Sequence, residues 1–285
     1  MRRGAGTSAV AVTLGFVAIG CAGNGWIRDQ PDLAERARRS PGSFLEPALK
    51  LTAPLESLVG SYTMRFSRGI GRRSVDTFVS VRRPADVDIL VLDPTGGTQA
   101  YLRANATEVG LFVREEQLLY RGPATRTSFE QAIGFGLSAA DVVAALLGYG
   151  VDAGSHPRGE SSWDESLRRI RIDYGDEATA WMLPPSLLFD RVEHRRADNS
   201  VVLEVREATA TPIDGQTVPV PSTLQLRIEP EGYGIAMQLL GEPSANVEFP
   251  PPHFELQVPA GVLQLPISDL GREGGLFRRQ APEEQ

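Results

Sequence analysis

Between Ala139 and Leu147 the only polar residue is Asp141, and most of the chain beyond Gly60 is written in period two. A surface helix shows one apolar stripe, so a helix that is apolar nearly all round has to be enclosed. Ser138 and Asp141, three residues apart, have the form of an N-cap with its reciprocal partner, and Leu137 can staple to Val142 across that cap. The surface such a chain can offer around its helix is a concave sheet.

The strands that would build it are legible as alternation. Tyr62, Met64 and Phe66 share one face, as do Val75, Thr77, Val79 and Val81, and then Val87, Ile89 and Val91. Asp93 to Gly97 has the chemistry of a hairpin turn, where glycine supplies positive φ. Further strands are expected at 99–104, 109–113 and 117–120. A first helix follows, with Thr127 and Glu130 as a capping box and Phe129, Ala132 and Ile133 on one stripe, broken at Gly134 and Gly136. After the apolar helix and a loop over 148–162, strands resume at 170–172, 180–183, 187–195, 201–208, 224–229 and 232–239, with short ones suggested by Val247, Phe254, Leu256 and Val258. The expected fold is therefore mainly β: a curled antiparallel sheet of about ten or eleven strands, forming an incomplete barrel covered by short α-helices.

The N-terminus reads differently. Arg2 and Arg3, an apolar stretch from Ala9 to Ile19 and Gly20 match the three regions of a secretory signal peptide, too short to span a bilayer. Cys21 is the only cysteine, so no disulfide framework competes for it. The expected organisation is a signal peptide over 1–20, a tether and approach helix over 21–57, a folded domain over 58–268 and a flexible tail over 269–285. The formal net charge of −7 becomes more negative once residues 1–20 are removed, which argues against nucleic acid as a partner.

Two sets of residues resemble known patterns. Ala18, Ile19, Gly20 and Cys21 resemble the lipobox of bacterial lipoproteins, which implies a diacylglyceryl group and an N-terminal acyl chain on Cys21; Ala22 in place of aspartate implies sorting to the outer membrane, facing the periplasm. Arg83–Pro84 before a strand, the Asp93–Pro94–Thr95–Gly96 turn, Tyr120–Arg121–Gly122, and a helix opening Leu137–Ser138–Ala139–Ala140–Asp141 and closing Leu146–Leu147–Gly148 resemble the LolA/LolB-like lipoprotein carriers, most closely their lipoprotein branch. The resemblance covers Gly60 to Gly148. It implies a half-barrel whose apolar interior accepts acyl chains of lipoproteins or another amphiphile, a membrane held through the anchor, and a soluble periplasmic carrier as partner.

Acyl chains need a dry cavity, and Phe129, Ile133, Val142, Val143, Leu146 and Leu147 are the candidates for its covering face. Small barrels are also commonly filled by side chains, and a filled interior would make the chain an envelope structural or assembly component that binds a protein partner. Enzyme chemistry finds little support. His156, His194 and His253 are far apart, no metal-ligand spacing occurs, and His194 with Asp190 reads as a solvated strand face. Gly69, Gly71, Gly96 and Gly97 read as turns, and the pairs Arg72–Arg73, Arg168–Arg169 and Arg195–Arg196 as solvated strand faces among acids. No catalytic residue, metal or cofactor is expected.

Overall fold

The structure, a computed structural model, describes residues 31–151, 159–195, 199–271 and 274–280. Cys21, the signal segment, His156 and the turn at 197–198 lie outside them. Two helices come first, α1 (Pro31–Arg39) and α2 (Leu45–Thr52). Strands β1 (Ser57–Arg68), β2 (Gly71–Arg82), β3 (Asp86–Leu92), β4 (Thr98–Ala104), β5 (Glu108–Val113) and β6 (Leu118–Pro123) follow as a meander of antiparallel hairpins. Helices α3 (Arg126–Ile133) and α4 (Ala139–Leu147) interrupt the strands. A second meander runs through β7 (Glu160–Asp164), β8 (Arg169–Asp173), β9 (Ala178–Leu183), β10 (Leu188–Arg195), β11 (Ser200–Ile213), β12 (Gln216–Glu229) and β13 (Tyr233–Ala245). The chain ends with β14 (Leu263–Pro266), a turn of 3₁₀ helix and α5 (Leu276–Arg279).

All the strands among the described residues belong to one 14-stranded sheet, ordered β14-β6-β5-β4-β3-β2-β1-β13-β12-β11-β10-β9-β8-β7. The two meanders meet at a single seam, where β1 and β13 pair antiparallel with Met64 opposite Met237. Among the described residues only β14 pairs parallel, on the edge of β6. The two ends of this order are not joined to each other, so the expected incomplete barrel is an open curled sheet with more strands than alternation suggested.

The concave face holds the main core. Buried Leu58, Tyr62, Met64 and Phe66 of β1 project there with Val79, Val81 and Ile89. Helix α4 lies in the hollow against β1, β2, β3 and β12, and every residue from Asp141 to Leu147 is buried, as its all-round apolar character requires. Its capping box is present: the Ser138 hydroxyl accepts from the Asp141 N–H at 3.1 Å, and the Asp141 carboxylate accepts from the Ser138 N–H at 2.9 Å. Helix α3 differs from expectation at its start. Its N-cap is Thr125, whose hydroxyl accepts from the Ser128 N–H, so Thr127 lies inside the first turn.

Two other segments depart from the sequence reading. Residues 31–52, expected within a tether and approach helix, are part of the folded body: Ala37, Phe44 and Ala48 are buried with Ile170, Ile172 and Phe189 in a second core. The Arg83 guanidinium fixes α2 by donating to the Thr52 and Leu55 carbonyls, both at 3.0 Å, as cations do at helix C-termini. At the other end, residues 269–280 were expected to fray, yet Leu270, Leu276 and Phe277 are buried. Glycine allows this: a Cβ on Gly275 would sit 2.3 Å from the Gly134 Cα, so only a hydrogen there lets the segment lie on the end of α3.

Residues 247–262, read as short strands, carry none. They cross the outer face of β4 and β5, where Leu256 covers Tyr101, Phe112 and Leu119, and Asn105 donates to the Phe254 carbonyl at 3.0 Å. His253 stands 3.8 Å from buried Asp88, which Arg103 neutralises at 3.0 Å. Burial pushes the Asp88 carboxyl up against the opposing pull of Arg103, and burial pushes the His253 imidazole down.

A dry hollow closed by helices and a C-terminal strap

Between the concave sheet and the helices lies a cavity of about 40 Å³ whose lining is wholly apolar. Three of the six expected cover residues line it: Ile133 from α3, and Val142 and Leu146 from α4. Phe129, Val143 and Leu147 are buried in the core around it. The opposite wall comes from β11, β12 and β13 through Leu203, Leu226 and Met237, and from Ile89 of β3. Sequence reading missed this wall because alternation names a face without saying which strands close over which helix.

It also missed Phe277, which reaches the cavity from the C-terminal segment. Its ring stands 5.6 Å from Phe135 and 5.8 Å from Phe66, centroid to centroid, and the Tyr233 hydroxyl donates to its carbonyl. Arg278 donates to the Gly134 carbonyl at 2.7 Å and pairs with Glu231 at 2.5 Å. Residues 274–280 therefore strap α3 to the β12–β13 hairpin, with one ring inserted in the hollow.

The helices are held by charge at their other end. Asp141, with its side chain 1% exposed, stands 3.3 Å from Arg126 and 3.8 Å from the His194 imidazole of β10. Arg126 also reaches Glu130 at 3.2 Å and Glu177 at 3.5 Å, so this cluster joins α3 and α4 to the second meander. Burial pushes the Glu130 carboxyl above its ordinary range, against the pull of Arg126. His194 is thus buried and turned toward the helix, where a solvated face shared with Asp190 was expected. Asp190 sits at a bulge in β10 and pairs with Arg169 at 2.6 Å. A bulge shifts the alternation by one residue, which separates the two side chains.

Among the described residues no group of three or more His, Cys, Asp or Glu side chains is placed to hold a metal ion. No described helix is long and apolar enough to cross a membrane. At the tip of the β1–β2 hairpin Ile70 is 85% exposed, a large apolar residue left outside the core.

No family model and no curated protein sequence matches the chain. Solved structures similar to it in shape include a DUF1329 family protein from Desulfovibrio piger, at 13% identity and a TM-score of 0.48 over 75% of this chain and 96% of that one. They also include a LolA superfamily protein from Nitrosomonas europaea, at 11% identity and a TM-score of 0.48 over 75% and 97%. A third, a domain from Vibrio parahaemolyticus described as an outer membrane lipoprotein-sorting protein, has 8% identity and a TM-score of 0.49 over 74% and 95%.

Proposed function

We propose that the chain is a lipid-anchored envelope protein that takes an acyl chain of an amphiphile into the hollow between sheet and helices. The observation that carries this reading is the hollow itself, lined without one polar group and covered by two short helices and a strap. Pockets for drug-sized ligands run to about 300–1,000 Å³, so on this reading the cavity of about 40 Å³ would be the closed form of the site. Loading requires the cover to move outward, and the elements that would move are those joined to the sheet by the Asp141 cluster and by Phe277.

The test uses the full chain carrying Cys21→Ala, purified without detergent. Expected are co-purified acyl lipid by mass spectrometry and saturable uptake of an apolar fluorophore that free fatty acid displaces. Lipid-free protein with no uptake overturns the reading. It would leave the second one, an assembly component with a filled barrel, which the small cavity favours and which crosslinking in the native organism would reveal as a stoichiometric protein partner.

Anchoring through Cys21 is part of the same proposal. Since α1 begins at Pro31, the chain between it and Cys21 can span at most about 35 Å, which would keep the domain close to the membrane surface. Replacing Cys21 by alanine is expected to move the protein from the membrane to the soluble fraction with its thermal midpoint unchanged, as fractionation and melting would show. A variant that stayed with the membrane would remove Cys21 as the anchor.

A further inference from the structure

Where the β1–β2 and β12–β13 hairpins stand side by side, an open groove of about 610 Å³ crosses the rim of the sheet. One row of paired residues across it reads Arg72, Ser67, Gly234, Arg227, and the next reads Ser74, Arg65, Ala236, Gln225. Directly paired residues share a face, so the outer face there has a floor of small side chains with arginines at its ends and along its middle. At about 4.8 Å per strand, Arg72 and Arg227 are some 14 Å apart; Arg72 can lean over the floor, while the Arg227 guanidinium is held at 3.1 Å by Glu204 of β11. The floor is low by construction, because a Cβ on Gly234 would sit 2.7 Å from the Ser67 hydroxyl.

These arginines differ from others on the sheet. Arg103 sits against Asp88, Arg121 against Glu108, Arg169 against Asp190 and Arg191 against Glu204. Among the described residues no acid lies within ion-pair distance of Arg65, Arg72 or Arg73. Nearby acids are engaged elsewhere: Asp76 accepts from Thr63 at 2.9 Å, Glu204 binds Arg191 and Arg227, and Glu231 binds Arg278. The sequence expectation of arginines balanced by acids therefore fails at Arg72–Arg73. In a chain of net charge −7, Arg65 and Arg72 stand without an acid partner on the outer face of this groove, and Arg73, which also lines it, reaches the rim from the face of Phe66.

The groove also adjoins the dry hollow. Leu226 and Ile235 contribute to both, and Arg73 pairs across β1 with Phe66, whose ring touches Phe277. An anionic head and an apolar chain of one molecule can therefore lie on the two sides of a rim one strand layer thick. We infer that the groove lined by Arg65, Arg72 and Arg73 binds the phosphate of a phosphorylated amphiphile whose acyl chain enters the hollow. Guanidinium forks match phosphate oxygens bidentately, and a lipoprotein's acylated cysteine offers no such group. The inference rests on the acyl-carrier reading and narrows it to phosphate-bearing cargo.

The experiment compares dihexanoyl phosphatidate, dihexanoylglycerol and inorganic phosphate as ligands of the full chain carrying Cys21→Ala, by calorimetry. Expected is binding of the phosphatidate, weakened about tenfold or more by combined Arg65→Ser, Arg72→Ser and Arg73→Ser, with dihexanoylglycerol binding unchanged by the same substitutions. Gly234→Val, which fills the floor and leaves the charges, should weaken the phosphatidate likewise, and Arg168→Ser should not. Equal binding of phosphatidate and diacylglycerol, indifferent to the triple variant, overturns the inference and leaves the carrier reading intact. Inorganic phosphate binding as tightly as the phosphatidate also overturns it, in favour of a free-phosphate site. If neither lipid binds and no apolar fluorophore is taken up, the carrier reading falls with it.

Discussion

Gly275→Ala is expected to lower stability and, at the same time, to raise the uptake of an apolar fluorophore. The glycine has extended backbone, which any residue adopts, so the effect comes from contact alone: a methyl group would meet the Gly134 Cα at 2.3 Å, its N at 2.4 Å and the Gln131 carbonyl oxygen at 2.8 Å. These are backbone atoms of α3 and its cap, which cannot turn aside as a side chain can. The strap has to lift. Leu276 and Phe277, whose burial contributes about 1.5–3 kcal/mol each, set a ceiling of about 3–6 kcal/mol on the loss. Lifting withdraws the Phe277 ring from the cavity and opens its wall, so uptake should increase while urea unfolding shifts to lower concentration. Gly274→Ala serves as the control, because there the nearest atoms belong to the Leu270 side chain, which can move. Loss of stability without any gain in uptake would mean that the strap closes nothing a ligand uses.

Asp141→Ala attacks the other fastening. It removes the acceptor for the Ser138 N–H and the carboxylate facing Arg126 and His194, in a place where that carboxylate is fully enclosed. Breaking a buried pair costs about 3–5 kcal/mol, but Arg126 is 35% exposed and water can serve it, so a loss of about 2–3 kcal/mol is the better expectation. Asp141→Asn keeps an oxygen for the cap and should lose about half as much, since a cap alone is worth about 1 kcal/mol. Pairing Asp141→Asn with Arg126→Met in a double-mutant cycle separates charge from cap. A coupling of about 1 kcal/mol is expected, and strict additivity would show that the ion pair holds nothing.

The sheet was legible where its strands alternate and neighbour each other in sequence. β1 to β6 and β8 to β10 come close to their expected places because Tyr62, Met64 and Phe66, or Ile170 and Ile172, mark one face without interruption. β7 (sequence ESSWD) has no buried residue to mark a face. The far halves of β11 and β12 were hidden by Pro212, Pro219 and Pro221, which lack the ladder donor and mask the pattern, although Pro219 and Pro221 pair opposite Ala210 and Ala208. Around Val247, Phe254 and Leu256 apolar residues suggested strands, but the run Pro250–Pro251–Pro252 denies them ladder donors, and they cover the outer face instead. The covering helices were readable because Asp141 stands alone in an apolar run. Phe277 was not, because a single ring in a glycine-rich, charged tail carries no period.

The β1–β13 seam has a consequence for how the chain comes together. Every other pairing within the two meanders joins strands adjacent in sequence, whereas Met64 must find Met237 across nearly the whole domain. Loop-closure entropy places such contacts late in folding, after the local hairpins have formed. During synthesis, which delivers the N-terminal meander first, β1 therefore waits as an open sheet edge until residue 245 is present. An unguarded edge of this length, beside an unfilled hollow, is the surface on which partly made chains would aggregate, and it is where a holding chaperone would be needed.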